Sequence, residues 1–548
     1  MSTALRSIAE DFLAGRQPIA ARFAFAHDDW AGAVAMRRKR PAPPWADEDL
    51  EELRRFNAEA GAPGETLAQI HRLADPATRV VVAGQQAGLA LGPLYTLYKA
   101  LGAVARARRI EDRFGVPTVP CFWIAAEDHD FDEARTVFWL SQAGEIESFR
   151  YEPETPTDGL SVGDIPVEPQ LRSLCRRLEE TTAPTEFRPW VASWLDKALE
   201  QSPNLEALFA RLLLGLLGRF GLVALTPRLM GFRRGAAALF HFELARPQWT
   251  SRQIIAAGQT LRSMGYEPVI HRRPTDLNFF FYEGRKRCKL VWEGDKIALR
   301  LGAQTLRLAQ PDELRQAAEA RPDLLSCNVV SRPICQDLSL PTLGCLAGPA
   351  ELAYFAQLRE IYEGWSVPMP LIAPRPSALL IDAPSARLLN TDGLSMAEVL
   401  EAEPQALARR LAARAAAAGG LEALGEARRA LGESLRRLRE RSGQTSASVD
   451  KAIDRLAEAQ EKGLRLIEQR LERDLSERSQ ALLRRLTRAA RWLHPHGKPQ
   501  ERVYSVLAPL LVNYGLPAID RLAEQLDPER TDLQIINLQE TSGAGRMP

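Results

Sequence analysis

The chain has 548 residues, 45% of them hydrophobic and 26% charged, with 71 Lys and Arg against 70 Asp and Glu. This length predicts several domains, and the composition excludes collagen-like, wholly disordered and disulfide-scaffold proteins. The net charge of +1 gives no bulk positive field, so neither nucleic acid nor a membrane is an expected partner. No apolar run reaches the about 18 residues of a membrane span and the N-terminus lacks a signal pattern, so we expect a cytoplasmic protein.

Cysteine and histidine spacing gives no sign of a metal centre. The six cysteines and seven histidines form neither a Cys-x-x-Cys pair nor a paired-ligand pattern. We therefore expect no structural zinc, no disulfide framework and no bound metal. Cys121 lies in an apolar run, where a cysteine is expected to be inert packing.

The first quarter of the chain predicts helices and then a βαβ unit. Residues 1–75 predict an N-terminal helical layer with a proline-rich break at 41–44. RVVVAG (79–84) predicts a strand, a helix is expected from Pro93 to Ile110, and the apolar VPTVPCFWIA (116–125) predicts a second strand. Because strands that are apolar on both faces belong to covered parallel sheets, residues 76–135 predict the first half of a Rossmann-like α/β core.

The remaining elements predict insertions, a second core half and a coiled coil. Residues 136–320 are expected to hold helical and small β insertions, with a core strand near 221–226 and an antiparallel β insert at 265–305. The second core half is expected over 321–383, starting with LLSCNVVSRP (324–333). An Ala-, Leu-, Arg- and Glu-rich composition with three- and four-residue apolar spacing predicts a C-terminal antiparallel helical coiled coil over 384–498, with a turn at 442–448. Residues 499–548 are expected to pack on the core.

The first candidate site segment is GQQAGLALGPLYTLYK, residues 84–99, at the expected carboxyl end of a core strand. Ligands of open α/β sheets bind there, and glycines permit a close approach of the backbone. A Walker motif and the G-x-G-x-x-G fingerprint are both absent. The candidate ligand contacts are Gln85, Gln86, Gly92, Tyr95 and Lys99. The alternative is that the glycines only turn the chain and that Lys99 is a solvated surface residue.

The second segment, AAEDHDFDE (125–133), has five acids and one histidine directly after a buried strand. Dense like charge raises carboxylate pKa values and histidine titrates near neutral pH, as acid/base chemistry or amine binding requires. The candidates are Glu127, Asp128, His129 and Asp130. Two alternatives stay open: binding of Mg or Mn, and acids that only stabilise the first turn of a helix.

The third segment, residues 331–357, again joins a strand to a helix, which is opened by Gly348 and Pro349. Arginine suits a bidentate carboxylate or phosphate, and the neighbouring polar residues extend the cluster. The candidates are Arg332, Gln336, Asp337, Glu351 and Tyr354. Taken alone, the segment is equally explained as an ordinary polar loop.

These three segments, with MPLIAPRPSALLID (369–382), the coiled-coil segment and QERVYSVLAPLLVNYG (500–515), resemble in order the bacillithiol-biosynthesis cysteine-adding enzyme family, BshC. The likeness covers nearly the whole chain. It implies a Rossmann-like core of the nucleotidyltransferase type with inserted subdomains, and a coiled coil that forms a homodimer. It also implies a ligase that joins cysteine to glucosaminyl-malate in the last step of bacillithiol synthesis.

Our hypothesis for the site combines this resemblance with residue chemistry. Lys99 and Arg332 bind the malate carboxylates or an activating phosphate, and His129 deprotonates the substrate amine. The amine is held by Glu127, Asp128 and Asp130. The sugar and the cysteine are oriented by Gln85, Gln86, Tyr95, Gln336 and Tyr354, and the substrate contacts further include Gly92, Asp337 and Glu351.

The sequence leaves the activating cofactor unknown. The chain has neither a HIGH tetrapeptide nor a KMSKS-like loop, but an amide does not form from a free carboxylate without activation, so ATP with Mg is the candidate. One rival is a nucleotidyltransferase-like enzyme acting on another small substrate. The other is a coiled-coil binding protein that contacts phosphates through an acid-free basic stretch, formed by Arg478, Arg484, Arg485, Arg488 and Arg491.

Overall fold

A computed structural model of the chain describes residues 7–39, 45–391, 393–417, 420–442 and 447–538. The chain divides into two compact units, Met1–Leu380 with Gln500–Pro548, and Ile381–Pro499. The strands are β1 Arg79–Gln86, β2 Thr118–Ala125, β3 Thr136–Leu140, β4 Ile146–Arg150, β5 Val223–Leu225, β6 Asp276–Glu283, β7 Lys286–Glu293, β8 Lys296–Leu301, β9 Gln304–Ala309, β10 Leu325–Cys327, β11 Thr342–Ala347, β12 Leu371–Pro374, β13 Ser377–Ile381 and β14 Leu533–Asn537.

Helices surround these strands in the first unit and make up most of the second. They are α1 Ile8–Leu13, α2 Trp30–Lys39, α3 Asp47–Glu59, α4 Gly64–Arg72, α5 Tyr95–Phe114, α6 Phe131–Ala134, α7 Ser173–Thr181, α8 Arg188–Glu200, α9 Leu205–Leu217, α10 Met230–Ala245, α11 Trp249–Ser263, α12 Pro311–Ala320, α13 Ser331–Ser339, α14 Pro349–Phe355, α15 Arg359–Gly364, α16 Ala383–Thr391, α17 Met396–Glu401, α18 Pro404–Ala417, α19 Gly420–Ser442, α20 Ala447–Leu493 and α21 Val512–Gln525. The predicted proline-rich break at 41–44 lies outside the described residues.

The centre of the first unit is a five-stranded parallel sheet with the order β12-β11-β1-β2-β5. Counted along the chain within this sheet, that order is 3-2-1-4-5 from one edge, which is the order of a Rossmann fold. The strand order reverses between β1 and β11, where Val81 pairs with Gly344. The structure thus confirms the predicted Rossmann-like α/β core, and the predicted core strand near 221–226 is β5.

Helix α5 connects β1 to β2 and covers one face of the sheet. Leu94, just before the helix, and Leu97, Leu101 and Val104 within it form a buried apolar stripe. The helix ends at Gly115, whose positive φ of 61° is readily adopted by glycine. Strand β1 continues past the predicted end at Gly84, so Gln85 and Gln86 are the last strand residues rather than the first loop residues.

A second sheet, formed by the chain between the two halves of the core, has the order β10-β6-β7-β8-β9 and is antiparallel. Here one prediction is wrong: residues 324–333 do not resume the core. Strand β10 pairs with β6, with Ser326 opposite Phe280, and the core strand is the later β11. Both segments are short, apolar and buried, so hydrophobic pattern alone does not tell which sheet each one joins.

The second unit is helical, as the sequence predicts. Helix α20 packs against α16, α17, α18 and α19. Among the apolar residues spaced three or four apart along α20, Ile453 is buried, whereas Leu456 and Ile467 are exposed. Part of the predicted turn, residues 443–446, lies outside the described residues. Across the described ranges, no helix is both long and apolar enough to cross a lipid bilayer.

Candidate active site

A cavity of about 670 Å³ opens at the carboxyl ends of β1, β2 and β11. Side chains at these strand ends, on α5, α13 and α14, and on the antiparallel sheet line its wall. It lies where the strand order reverses, because the chain leaves β1 and β11 toward opposite faces of the sheet and opens a crevice between them. A volume of this size suits a small-molecule ligand.

The ammonium group of Lys99 is held entirely by protein groups. Its Nζ donates to the carbonyl oxygen of Gly84 at 2.8 Å and to Oε1 of Gln85 at 3.1 Å, and lies 2.6 Å from Oε2 of Glu351. These three contacts use the three donors of an ammonium group. The predicted solvated-lysine alternative is wrong, since Lys99 is 3% exposed, and its charge is compensated without a ligand.

The loop after β1 has an unusual backbone that turns the chain into α5. Ala90, Leu91 and Gly92 are consecutive residues with positive φ, at 52°, 67° and 65°. Such angles are uncommon for residues other than glycine, and buried packing of Ala90 and Leu91 holds them in place. Gly92, a predicted substrate contact, is not among the residues that line the cavity and lies in this turn.

Two of the predicted polar residues in this region are fixed by local hydrogen bonds. Gln85 donates from Nε2 to the hydroxyl oxygen of Tyr95 at 3.2 Å. Gln86 donates from Nε2 to the carbonyl oxygen of Asp130 at 2.9 Å, which ties the end of β1 to the acidic segment. Burial raises the pKa of Tyr95, and the nearby Glu133 carboxylate adds to this effect. All three side chains line the cavity, with Tyr95 neutral at physiological pH.

Glu127 is the buried acid of the AAEDHDFDE segment and already has a counter-ion. Its Oε1 accepts from a guanidinium nitrogen of Arg233 and from the hydroxyl of Tyr282 at 3.3 Å. Both partners of the Glu127–Arg233 ion pair are about 95% buried. The negative charge of Glu127 is therefore already compensated by Arg233 and is not free to bind a substrate amine.

Asp128 and His129 lie closer to solvent. One carboxylate oxygen of Asp128 accepts from the backbone N–H of His129 at 2.7 Å and lies 3.5 Å from Nδ1 of the same histidine. The His129 side chain is 69% exposed, and its ring centroid is 6.2 Å from that of Phe280. Asp130 does not line the cavity: its side chain caps α6 by accepting from the N–H of Glu133 at 3.2 Å. The helix-start alternative is thus correct for Asp130.

Glu133 lines the cavity and was not among the predicted site residues. Partial desolvation raises the pKa of its carboxyl, and the negative charges of Asp130 and Asp128 raise it further. The other acid of α6, Asp132, is instead paired with Arg135 and Arg150. In the sequence, Asp132 and Glu133 are indistinguishable as candidates, and only the helix geometry separates them. We call Asp128, His129 and Glu133 the acidic wall.

Helix α13 brings Arg332 and Gln336 to the cavity on the opposite side. Arg332 donates to Oε1 of Gln336 at 3.1 Å and to the hydroxyl oxygen of Tyr354 at 2.9 Å. Burial raises the pKa of Tyr354, so this phenol is neutral. Asp337, like Gly92 and Asp130, does not line the cavity; its carboxylate accepts from Gln336 and from the hydroxyl of Tyr362.

Further residues line the cavity that were not among the predicted site residues. They are Trp123 from β2, Phe280 and Arg287 from the antiparallel sheet, Arg272, Arg375, Arg502, Cys327 and Cys345. Arg375 is paired with Glu501 inside the first unit. Burial raises the pKa of the Cys345 thiol to about 12, so it is not a nucleophile at neutral pH. No local sequence signal marks these residues, because only the tertiary structure brings them together at the cavity.

Comparison with known proteins agrees with this architecture. Residues 2–376 match the family profile described as "Bacillithiol biosynthesis BshC, N-terminal Rossmann-like domain", and residues 378–538 match "Bacillithiol biosynthesis BshC, C-terminal coiled-coil domain". These two matches together span nearly all of the residues that the structure describes.

Curated relatives lead to the same family. A protein of Geobacillus thermodenitrificans (strain NG80-2) is 32% identical over 539 residues, 96% of each chain. A protein of Heliobacterium modesticaldum (strain ATCC 51547 / Ice1) is 32% identical over 516 residues, 91% of each chain. One from Salinibacter ruber (strain DSM 13855 / M31) is 34% identical over 378 residues, 68% of each chain. All three carry the name "Putative cysteine ligase BshC". With two family profiles and full-length relatives in agreement, the chain belongs to the BshC family of bacillithiol biosynthesis.

Proposed function

We propose that the protein is the ligase that forms an amide between the carboxyl group of cysteine and the amine of glucosaminyl-malate. The observation that carries this proposal is that one cavity is lined both by the acidic wall and by arginines. Glucosaminyl-malate has the matching charges, an amine on the sugar and carboxylates on the malyl group. The names of the relatives support the same reaction.

The acidic wall suits the amine. Asp128 and Glu133 provide carboxylates for an ammonium group, and His129 provides the imidazole that takes its proton. Glu127, with its charge compensated by Arg233, serves to position the segment through Tyr282 rather than to hold the amine. Once neutral, the amine nitrogen attacks the activated carboxyl carbon of cysteine: the new C–N bond forms and the bond to the leaving group breaks.

Activation of the cysteine carboxyl is assigned to ATP with Mg²⁺. The residues present fit the nucleotide, because Arg272 and Arg502 at the cavity wall suit its phosphates, which themselves bind Mg²⁺. ATP supplies a phosphate-based leaving group in place of hydroxide. Gln85, Gln86, Tyr95, Gln336 and Tyr354 then orient the sugar and the cysteine around the reacting atoms.

Three broader features belong to the same proposal. The core is of the nucleotidyltransferase type, and α19 and α20 form an antiparallel coiled-coil pair, which the contacts between them support. The protein is a cytoplasmic homodimer joined through the coiled coil. Support comes from apolar residues exposed on that segment, namely Leu438, Leu456, Leu466 and Ile467.

The test is product formation from purified protein, cysteine and glucosaminyl-malate, with and without ATP and Mg²⁺, followed by mass spectrometry. We expect the thiol product only in the complete mixture. No product in either mixture would overturn the ligase assignment, whereas ATP-dependent pyrophosphate release with a different acceptor would favour the nucleotidyltransferase rival. A folded His129→Ala variant with full turnover would remove the proposed base.

A further inference from the structure

Two arginines in the cavity wall differ from three buried cations near them. Lys99 is paired with Glu351, Arg375 with Glu501 and Arg233 with Glu127. Within the described ranges, Arg287 and Arg332 have no carboxylate partner, although both line the cavity. We call these two residues the arginine pair. Since buried charges are ordinarily paired in direct contact, the arginine pair is suited to direct contact with an anionic ligand.

Arg287 is held rigidly by neutral groups. Its Nε donates to Oγ of Ser326 at 2.8 Å, and one terminal nitrogen donates to the carbonyl oxygen of Cys327 at 2.8 Å. The guanidinium carbon lies 3.6 Å from the ring centroid of Phe280. Only 8% of the residue is exposed, and burial lowers its pKa, although the nearby carboxylates of Glu127 and Asp128 act in the opposite direction. Its second terminal nitrogen has no protein partner among the described residues.

Arg332 is oriented in the same manner. Its two terminal nitrogens donate to an amide oxygen and to a neutral phenol, and its guanidinium carbon lies 5.9 Å from the ring centroid of Trp123. None of these partners carries a negative charge. A planar guanidinium held in this manner has donors left for a carboxylate or a phosphate.

One short stretch of chain fixes the spacing of the arginine pair. Cys327, which anchors Arg287, is followed by Asn328, whose Oδ1 accepts from the N–H groups of Val330 and Ser331 at the start of α13. The N–H of Arg332 in turn donates to the carbonyl oxygen of Asn328 at 2.9 Å. Arg287 thus comes from the antiparallel sheet and Arg332 from helix α13, and the hydrogen-bonded turn at Asn328 links the two.

We infer that the arginine pair is the subsite for a dianion, and that in the proposed ligase reaction it binds the two carboxylates of the malyl group. This inference rests on the proposed function and deepens it: Arg287, carried by the antiparallel insert, becomes the residue that selects a dicarboxylate over a monocarboxylate. The same donor chemistry suits the phosphates of a nucleotide, so the experiment separates the two sources.

Calorimetric titration of the full-length protein measures the affinities for glucosaminyl-malate, for glucosaminyl-lactate, which lacks one carboxylate, and for ATP with Mg²⁺. We expect Arg287→Gln and Arg332→Gln each to weaken glucosaminyl-malate binding by about tenfold or more, since each removes a hydrogen bond between charged groups. Arg287→Gln should bind both glucosides with similar affinity. Arg285→Gln, an exposed neighbour outside the cavity, is the matched control and should bind like the wild type.

The outcomes separate this inference from the function on which it rests. Glucosaminyl-malate bound equally by wild type and by both glutamine variants overturns the arginine pair as its subsite and leaves the ligase proposal intact. Weakened ATP binding with unchanged glucosaminyl-malate binding assigns the pair to a nucleotide and also overturns the inference. A wild type that neither binds nor converts glucosaminyl-malate overturns both. If one glutamine variant fails to fold, the affinities of the other glutamine variant and of Arg287→Lys are compared with that of the wild type instead.

Discussion

The Nζ of Lys99 lies 2.6 Å from Oε2 of Glu351, and that oxygen also accepts the backbone N–H of Gly348 at 2.7 Å. Lys99 belongs to α5, which follows β1, and Glu351 belongs to α14, which follows β11. One ion pair therefore joins the two helices that leave the sheet on either side of the point where its strand order reverses. It closes the base of the crevice.

Replacing Lys99 by methionine should cost stability more than it costs binding. The change leaves Glu351 without its counter-ion. Because the Glu351 carboxylate is about a quarter exposed, we expect the free energy of unfolding to fall by about 3 kcal/mol, the lower end of the range for a broken buried ion pair. Urea unfolding followed by tryptophan fluorescence measures it. The double variant Lys99→Met/Glu351→Gln should recover part of the loss; a single variant as stable as the wild type would contradict this account.

Gly84 is required by a close contact between neighbouring strands. A Cβ atom at this position would lie 2.9 Å from the carbonyl oxygen of Trp123. Gly84→Ala must therefore push β1 away from β2, and we expect a loss of about 1–3 kcal/mol in the free energy of unfolding. Gly64→Ala, at the first residue of α4 with no atom within 4 Å, is the control and should cost nothing. Equal stability of both variants would show that the strands absorb the methyl group.

The pH dependence of turnover should report Glu133. Its raised pKa means that the carboxyl is protonated at a higher pH than an ordinary glutamate. We therefore expect kcat/KM to have its full value above that pKa and to fall as the pH is lowered through it. The charged and titratable groups around it are Asp128, Asp130 and Tyr95. Glu133→Gln should lose turnover by about 10²-fold and lose this acid limb.

Asp132→Asn is the matched control for Glu133, because Asp132 lies on the same helix but is paired with arginines at the surface. Its pH profile should follow that of the wild type. If Glu133→Gln keeps the wild-type rate and acid limb, the amine is held elsewhere on the acidic wall.

The Glu127–Arg233 pair predicts a separation of stability from catalysis. Glu127→Ala leaves Arg233 buried without a counter-charge and should cost about 3–5 kcal/mol. A Glu127→Ala/Arg233→Met variant should regain much of that stability, as thermal unfolding would record. If the double variant folds with its midpoint restored but has no turnover, Glu127 acts on the substrate and not as a positioning residue.

The sequence predicts the elements that depend on local signals. β1, α5 and β2 follow from a β-branched run, an apolar helical stripe and a fully apolar strand, and the crevice at their carboxyl ends follows from the rules of parallel sheets. The same reasoning brings Lys99, Glu127 and Arg332 to one cavity, as the structure has them.

What the sequence does not predict depends on long-range partners. The composition of β10 fits either sheet, and only its pairing with β6 decides. Arg287 looks like a surface residue of a β insert until Ser326 and Phe280 enclose it. The charges of Lys99 and Glu127 look available for a ligand until their counter-ions, Glu351 and Arg233, are located. Ion pairing across distant segments leaves no periodic trace in the chain.

The strand order of the central sheet also determines when the cavity can exist during synthesis. β1 finds β2 soon after both leave the ribosome, but its other neighbour, β11, is made only after the whole antiparallel insert, and Glu501, the partner of Arg375, comes later still. Contacts so distant along the chain form slowly, and an unpaired β1 edge is exposed in the meantime. The nascent first half is therefore the form of this protein most prone to aggregation.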